Sequence, residues 1–165
     1  MHQNPPPKLY DAHHYDEYLR LKISPLLWFI LIYGVRHFFI IAAAKLMPVD
    51  VGAMAWLDLQ AHTLLIWGDL PALAVLIATG NRIPEALRAM RWIWLHGRWI
   101  LACSYLVGVA VFLGLHLDVI RNPDSFNFLS AVSVVLPDVA IIGYLLRSEL
   151  VRDVFNEFPQ PKEKT

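Results

Sequence analysis

Four residues that can carry charge lie inside long apolar stretches of the chain: Arg36, His37, Asp69 and Asp138. An arginine at the centre of a bilayer costs about 2.5–3.5 kcal/mol on insertion scales, so Arg36 should face protein or water and have an anionic partner. A carboxylate within reach can form a bidentate ion pair with the guanidinium. A carboxylate beside such a cation can also gain and lose a proton. We therefore predict that these four residues form a buried polar cluster.

Two roles fit this cluster. It can clamp the helices in one register, or Asp69 or Asp138 can change protonation beside Arg36 and act in a proton or ion relay. Pro71 and Pro137 lie close to the two acids and free backbone carbonyls there, which suits both roles. Because the charges nearly balance within a small bundle, we favour the clamp and keep the relay as the alternative.

The elements that must position the cluster are membrane-spanning helices. The chain has 165 residues, of which 57% are hydrophobic and 17% charged, whereas a soluble domain carries about 25% charged residues. We predict an all-α polytopic membrane protein, a four-transmembrane-helix bundle with short interfacial helices. Its membrane domain is residues 24–147, with spans at approximately 25–46, 61–79, 92–117 and 128–147.

The depths of the charged residues can be estimated from the helix rise of about 1.5 Å per residue. Counted from the outer ends of their spans, Arg36, Asp138 and Asp69 lie at depths of about 16, 15 and 12 Å. Either carboxylate can therefore reach Arg36 if the spans adjoin.

The basic residues that flank the spans predict the orientation. On one side lie Lys8, Arg20, Lys22, Arg82, Arg88, Arg91, Arg147, Arg152, Lys162 and Lys164, and on the other only Lys45 and Arg121. Positively charged flanks stay in the cytoplasm, so both termini should be cytoplasmic. Residues 1–23 should then form a segment on the cytoplasmic membrane surface, and residues 148–165 an amphipathic cytoplasmic helix and tail.

The region before the third span is basic and rich in tryptophan. Arg88, Arg91 and Arg98 fall near one helical face, interleaved with Trp92, Trp94 and Trp99. This pattern is typical of a helix that enters the bilayer through an aromatic belt, and we favour that interpretation. The alternative is a binding site for anionic lipid headgroups.

Histidines allow a third function. His62 and His116 lie near the outer ends of the second and third spans, which are antiparallel, and two histidines across a bundle can ligate haem. The inner side offers only His96, however, and interfacial polar residues explain all of these histidines, so we favour that interpretation over haem. His13-His14 lacks the carboxylates or cysteines of a metal site. We expect no cofactor and no metal.

Other classes of function have little support. The formal net charge is zero and no zinc or phosphate-loop motif occurs, so nucleic acid is not an expected partner. No Gly-x-Ser-x-Gly or His-Glu-x-x-His motif is present, and we predict no catalytic residue. Cys103 is the single cysteine, so no internal disulfide can form. The expected partners are the bilayer, anionic lipid headgroups, and another membrane protein or a second copy.

Part of the sequence resembles a known family. The residues are Tyr15-Asp16, Leu19-Arg20-Leu21, the run from Leu27 to Tyr33, Arg36, and Asp138 followed by Val139-Ala140. They resemble the YfeZ-like bacterial inner-membrane proteins, a domain-of-unknown-function family. The resemblance implies an inner-membrane location and four spans, and it implies no activity, ligand or catalytic residue. We expect an accessory or assembly component without catalysis, with a small proton-coupled transporter or channel subunit as the alternative.

Overall fold

The computed structural model describes residues 10, 11, 15, 21–46, 59–115 and 126–159. For residues 59–62 and 126–131 it describes the backbone only. Within this part the chain forms seven helices and no β-strand, apart from one isolated bridge between Tyr15 and Leu21. The helices are α1 (Pro25–Tyr33), α2 (Arg36–Leu46), α3 (Leu59–Gly80), α4 (Arg88–Leu95), α5 (Gly97–Leu115), α6 (Phe126–Arg147) and α7 (Glu149–Asn156). The predicted all-α class is confirmed for the described part of the chain.

Two helices in this part are long and apolar enough to cross a membrane. They are α5 and the segment Thr63–Gly80 of α3. With 22 residues, α3 is about 33 Å long, and a bilayer's hydrocarbon core is about 30 Å thick. Taken together, the bent pair α1 and α2 is also long and apolar enough to cross a membrane, which gives up to three candidate spans in the described residues. The helix α6 has 22 residues as well.

The first predicted span, residues 25–46, is not one straight helix. It is divided into α1 and α2, which are bent by 57° around Gly34 and Val35. At the bend, the amides of Val35 and Phe38 donate to carbonyls only three residues earlier, both at 3.2 Å. A Cβ on Gly34 would lie 3.1 Å from the Cβ of Ala72, tighter than most carbon contacts. A glycine is therefore needed where the bend presses against α3.

The third predicted span, residues 92–117, also differs from the structure. A break at His96 separates the short helix α4 from the apolar helix α5. Gly97, the first residue of α5, lies so close to the ring of Phe155 that a Cβ there would overlap the ring. The break therefore coincides with tight packing of this turn against α7.

The bundle is organised around α3 and α5. The helix α3 contacts α1, α2, α4 and α5, and α5 also contacts α6. At their interface, Gly68 faces the backbone of Gly108, and the hydroxyl of Ser104 donates to the carbonyl of Gly68. Small residues allow two helix backbones to approach closely within a membrane. Each of the other described helices packs against α3 or α5.

A second packed region joins both ends of the chain. Leu21 donates its amide to Glu157 Oε2 at 2.8 Å, and the indole of Trp94 donates to the Glu157 carbonyl at 3.0 Å. The ring of Phe155 lies 4.7 Å from that of Trp94. Four apolar residues of and just after α7 are buried: Val151, Val154, Phe155 and Phe158. The apolar face of this amphipathic helix is thus covered by the chain itself.

A charged centre at the broken helix

Arg36 begins α2 and reaches across to α6. Its Nη2 donates to Asp138 Oδ2 at 2.8 Å, and its Nη1 donates to the carbonyl of Tyr33 at 3.3 Å. The guanidinium carbon lies 4.2 Å from the centre of the Tyr33 ring, a cation–π distance. The Asp138 side chain is 3% exposed and that of Arg36 19%. Of the two acids that the sequence offered as partners, Asp138 forms the ion pair with Arg36.

Asp69 instead contacts His37, the second residue of α2. Asp69 Oδ2 accepts the backbone N–H of His37 at 3.0 Å, and Asp69 Oδ1 lies 3.0 Å from His37 Nδ1. Both side chains are almost fully buried, at 6% and 8% exposure. One carboxylate from α3 therefore binds both the first turn of α2 and a ring within it. We call Arg36, His37, Asp69 and Asp138 the charged centre.

One of these contacts satisfies a backbone N–H that the bend leaves without a helical partner. A helix start exposes N–H groups and a helix end exposes carbonyls, and lipid offers no water to bind them. Asp69 accepts the N–H of His37. The hydroxyl of Tyr105 adds a second donor, at 2.6 Å, to the carbonyl of Ile30, which already accepts the N–H of Gly34 at 2.9 Å. A carboxylate also suits the partial positive charge at a helix N-terminus. The charged centre thus stabilises a broken helix inside the bundle.

A small cavity lies between the two pairs. Its volume is about 10 Å³, which is room for about one water molecule. It is lined by Gly34, Arg36, His37, Asp69, Ser104, Tyr105, Gly108 and Asp138. The second carboxylate oxygen of Asp138, Oδ1, is buried and has no hydrogen-bond partner among the described residues. A water in this cavity would complete its hydrogen bonding.

The formal charges of the charged centre sum to zero only if one of its groups binds an additional proton. Arg36 contributes one positive charge, and Asp69 and Asp138 contribute two negative charges, so the centre is neutral only when His37 or a carboxyl binds a proton. Uncompensated charge is costly in a low-dielectric interior. Chemically, the arrangement can therefore hold one proton, and it can join α2 to α3 and to α6.

The three arginines of the basic region do not lie on one helix. Arg88 and Arg91 are in α4 and Arg98 is in α5, on opposite sides of the break at His96. Arg91 lies 5.5 Å from the ring centre of Phe158, and Arg98 lies 4.9 Å from that of Trp99. The spacing of the three arginines predicts one shared helical face only if the helix is continuous. The break at His96 interrupts that face. Lipid binding by these residues stays a prediction.

The histidines proposed as haem ligands lie outside what the structure describes. The structure describes only the backbone of His62, which belongs to α3. His116 is in the segment 116–125, outside the described residues. His13-His14 is likewise outside. In the described residues, no group of three or more His, Cys, Asp or Glu side chains is placed to hold a metal. Haem ligation stays a prediction.

Sequence reasoning missed three residues of this site. Gly34 provides the close approach, Tyr105 binds the end of α1, and Ser104 joins α3 to α5. A signal was present for Tyr105, since a tyrosine hydroxyl within an apolar span needs a hydrogen-bond partner. Gly34, two residues before Arg36, was a second signal, because glycine weakens a helix interior.

The fold and the charged centre define a class of protein: a helical bundle with apolar helices long enough to cross a membrane and buried ion pairs between them. Residues 10–157 match the sequence model of a family described as Protein of unknown function (DUF2919). The chain belongs to this family, so the expected membership in a domain-of-unknown-function family is confirmed. No curated protein and no solved structure matches the chain. The narrower likeness to YfeZ-like inner-membrane proteins stays a prediction.

Proposed function

We propose that the chain is a bacterial inner-membrane protein that crosses the membrane four times, with both termini in the cytoplasm. The length and apolar character of α3 and α5 support two crossings, and the bent pair α1 and α2 supports a third. The 22 residues of α6, which end at Arg147, support the fourth. The excess of Lys and Arg on one side of these spans supports the orientation.

We infer that this protein is a non-catalytic accessory or assembly component, whose charged centre clamps the helices together. The observation that carries the proposal is the linking of three helices through two adjacent residues: Arg36 binds Asp138 of α6, and His37 binds Asp69 of α3. The cavity between them has room for about one water. That size favours a rigid junction over a route for a solute. The rigid bundle would present its outer faces to another membrane protein or to a second copy.

The test of the clamp is Asp138→Asn in purified full-length protein. If the clamp is the main role, this variant should unfold at a clearly lower temperature than wild type, because Arg36 then keeps a buried charge without its anionic partner. The matched control is Asp11→Asn, which makes the same chemical change at an exposed residue and should unfold like wild type. Equal stability of all three proteins would contradict the clamp.

The accessory role needs its own measurement. We expect the protein to co-purify with a second membrane protein, or with another copy of itself, after extraction in a mild detergent. Migration of the wild-type protein as a lone monomer under conditions that preserve known membrane complexes would argue against it. An absorption scan of the same sample tests the haem alternative, since bis-histidine haem gives a Soret band.

A proton relay is the second candidate, and the buried Oδ1 of Asp138 favours it because no described residue gives it a hydrogen bond. Asp138 also lines a cavity with room for about one water, beside Arg36, His37 and Asp69. The test is proton flux in proteoliposomes that contain a pH-sensitive dye. For a relay, Asp138→Asn should abolish flux while the unfolding temperature is unchanged. Loss of stability without any wild-type flux supports the clamp instead.

A further inference from the structure

A separate cavity lies where the start of α1 meets the end of α3. Its volume is about 450 Å³, within the range of small-molecule sites. It is lined by Leu21, Lys22, Ile23, Trp28, Thr79, Gly80, Arg82 and Ile83. Two of these residues, Lys22 and Arg82, are cations, and the carboxylate of Glu157 accepts the amide of Leu21, so the described part of the groove carries two cations beside one acid. We call this the Lys22–Arg82 groove, and its charge suits an anion.

Arg82 is held in place before any ligand arrives. Its Nη1 donates to the carbonyl of Leu21 at 3.3 Å, and its Nη2 donates to the carbonyl of Glu157 at 3.4 Å. Its guanidinium carbon lies 4.7 Å from the centre of the Trp94 ring. A cation with a fixed side chain loses little further conformational entropy when an anion binds. Lys22 also lines the groove and is exposed.

The rest of the described lining is mainly apolar, and the groove lies beside the start of the first proposed span and the end of the second, which would place it near a membrane surface. Leu21, Ile23 and Ile83 line it, and Trp28 is 42% exposed in the first turn of α1. Tryptophan prefers the headgroup region of a bilayer. Cations beside apolar walls at this level match a phosphate attached to a glycerol backbone better than they match free phosphate. Basic pockets between membrane helices bind acidic lipid headgroups in this way.

We propose that the Lys22–Arg82 groove binds the headgroup phosphate of an anionic phospholipid. The site is distinct from the basic region of Arg88, Arg91 and Arg98, and it lies at the opposite end of α1 from the charged centre. The proposal rests on membrane insertion of the chain, but on neither the clamp nor the number of spans.

The test titrates the purified full-length protein in a non-ionic detergent with short-chain phosphatidylglycerol or with phosphatidylcholine of equal chain length. Native mass spectrometry counts the bound lipids. We expect phosphatidylglycerol to be retained more strongly, and Lys22→Ala to weaken its binding about five-fold, which corresponds to one cation near the membrane surface. Lys45→Ala, which removes another exposed cation, should leave binding unchanged.

A steric variant tests the groove itself without altering charge. A Cβ on Gly80 meets no atom of the described residues within 4 Å, so Gly80→Leu should fold and extend into the groove. We expect it to weaken phosphatidylglycerol binding at least as much as Lys22→Ala does. Gly114→Leu is the matched control, because a Cβ on Gly114 also has no atom of a described residue within 4 Å and Gly114 lies outside the groove.

Three results would overturn the proposal. Binding that is unaffected by both Lys22→Ala and Gly80→Leu removes the site. Loss of binding in Arg88→Ala alone places the lipid at the basic region instead. Displacement of the lipid by inorganic phosphate at an equal concentration shows that free phosphate, and not a lipid headgroup, is the ligand. Because none of these measurements uses stability or proton flux, their failure leaves the proposed clamp untouched.

Discussion

Asp69 of α3 accepts the backbone N–H of His37 at 3.0 Å and also lies 3.0 Å from its ring nitrogen Nδ1. The two residues are thirty-two positions apart in sequence, yet one carboxylate binds both the main chain and the side chain at the start of α2. This is an N-terminal helix cap supplied by a neighbouring helix instead of by the preceding residue. The bend in the first span therefore depends on α3.

Replacing Asp69 should destabilise the bend in a graded way. Asp69→Ala leaves the buried N–H of His37 without its acceptor, at a cost of about 1–3 kcal/mol. Asp69→Asn keeps an oxygen that can accept this N–H, so it should cost clearly less. The measurement is reversible unfolding in mixed detergent micelles for wild type and both variants. Equal losses for the two variants would show that the negative charge matters more than the cap.

The Arg36–Asp138 pair should show strong coupling in a double-mutant cycle. Removing one partner of a buried pair costs about 3 kcal/mol or more, because the other charge stays buried alone. We therefore expect Arg36→Met and Asp138→Leu each to destabilise the protein strongly. The double variant should recover most of the loss, since it buries no charge at this position. Additive losses in the same unfolding assay would contradict a direct pair.

The apolar helices and the charged residues within them could be predicted from the sequence, because hydropathy over about 20 residues is a local property. Which of the two acids pairs with Arg36 could not be predicted from the sequence. Arg36 pairs with Asp138, while Asp69 lies beside His37, and depth alone made both acids equally suitable. The choice depends on which helices adjoin and on how α2 is rotated, and both are set by packing across the whole bundle.

The two helix breaks escaped prediction for a similar reason. Gly34-Val35 and His96-Gly97 are tolerated within a helix by local propensity, with glycine costing about 1 kcal/mol. What favours the breaks lies far along the chain: Ala72, Tyr105 and Asp69 beside the first, and Phe155 beside the second. The amphipathic pattern of α7 was visible, but not that its apolar face packs against Trp94.

The contact between Gly97 and Phe155 predicts a sharp sensitivity to a single methyl group. A Cβ on Gly97 would overlap the Phe155 ring and lie 3.2 Å from Val75, so Gly97→Ala must shift α7 or α3. Overpacking of this kind costs about 1–3 kcal/mol. Thermal unfolding should show a lower midpoint for this variant. Gly114→Ala, where the added Cβ meets nothing within 4 Å in the described part of the chain, should be as stable as wild type or slightly more stable.

The contact between Tyr10 and Asp153 predicts a pH dependence at the chain ends. The phenol donates to Asp153 Oδ2 at 2.6 Å, and this hydrogen bond, with burial, raises the pKa of Tyr10 from 10.0 to about 12. A raised pKa favours the neutral phenol in the folded state. The stabilisation should therefore be complete below about pH 10 and disappear as the pH rises towards 12.

This shift can be measured as the difference in ultraviolet tyrosinate absorbance between wild type and Tyr10→Phe, which isolates one phenol among the six tyrosines. The difference signal should have its midpoint near pH 12. Asp153→Asn removes the negative charge that opposes ionisation of the phenol, so it should move the midpoint towards the ordinary tyrosine pKa of about 10. A wild-type midpoint already near 10 would mean that Tyr10 is not bound to Asp153 of α7 in solution.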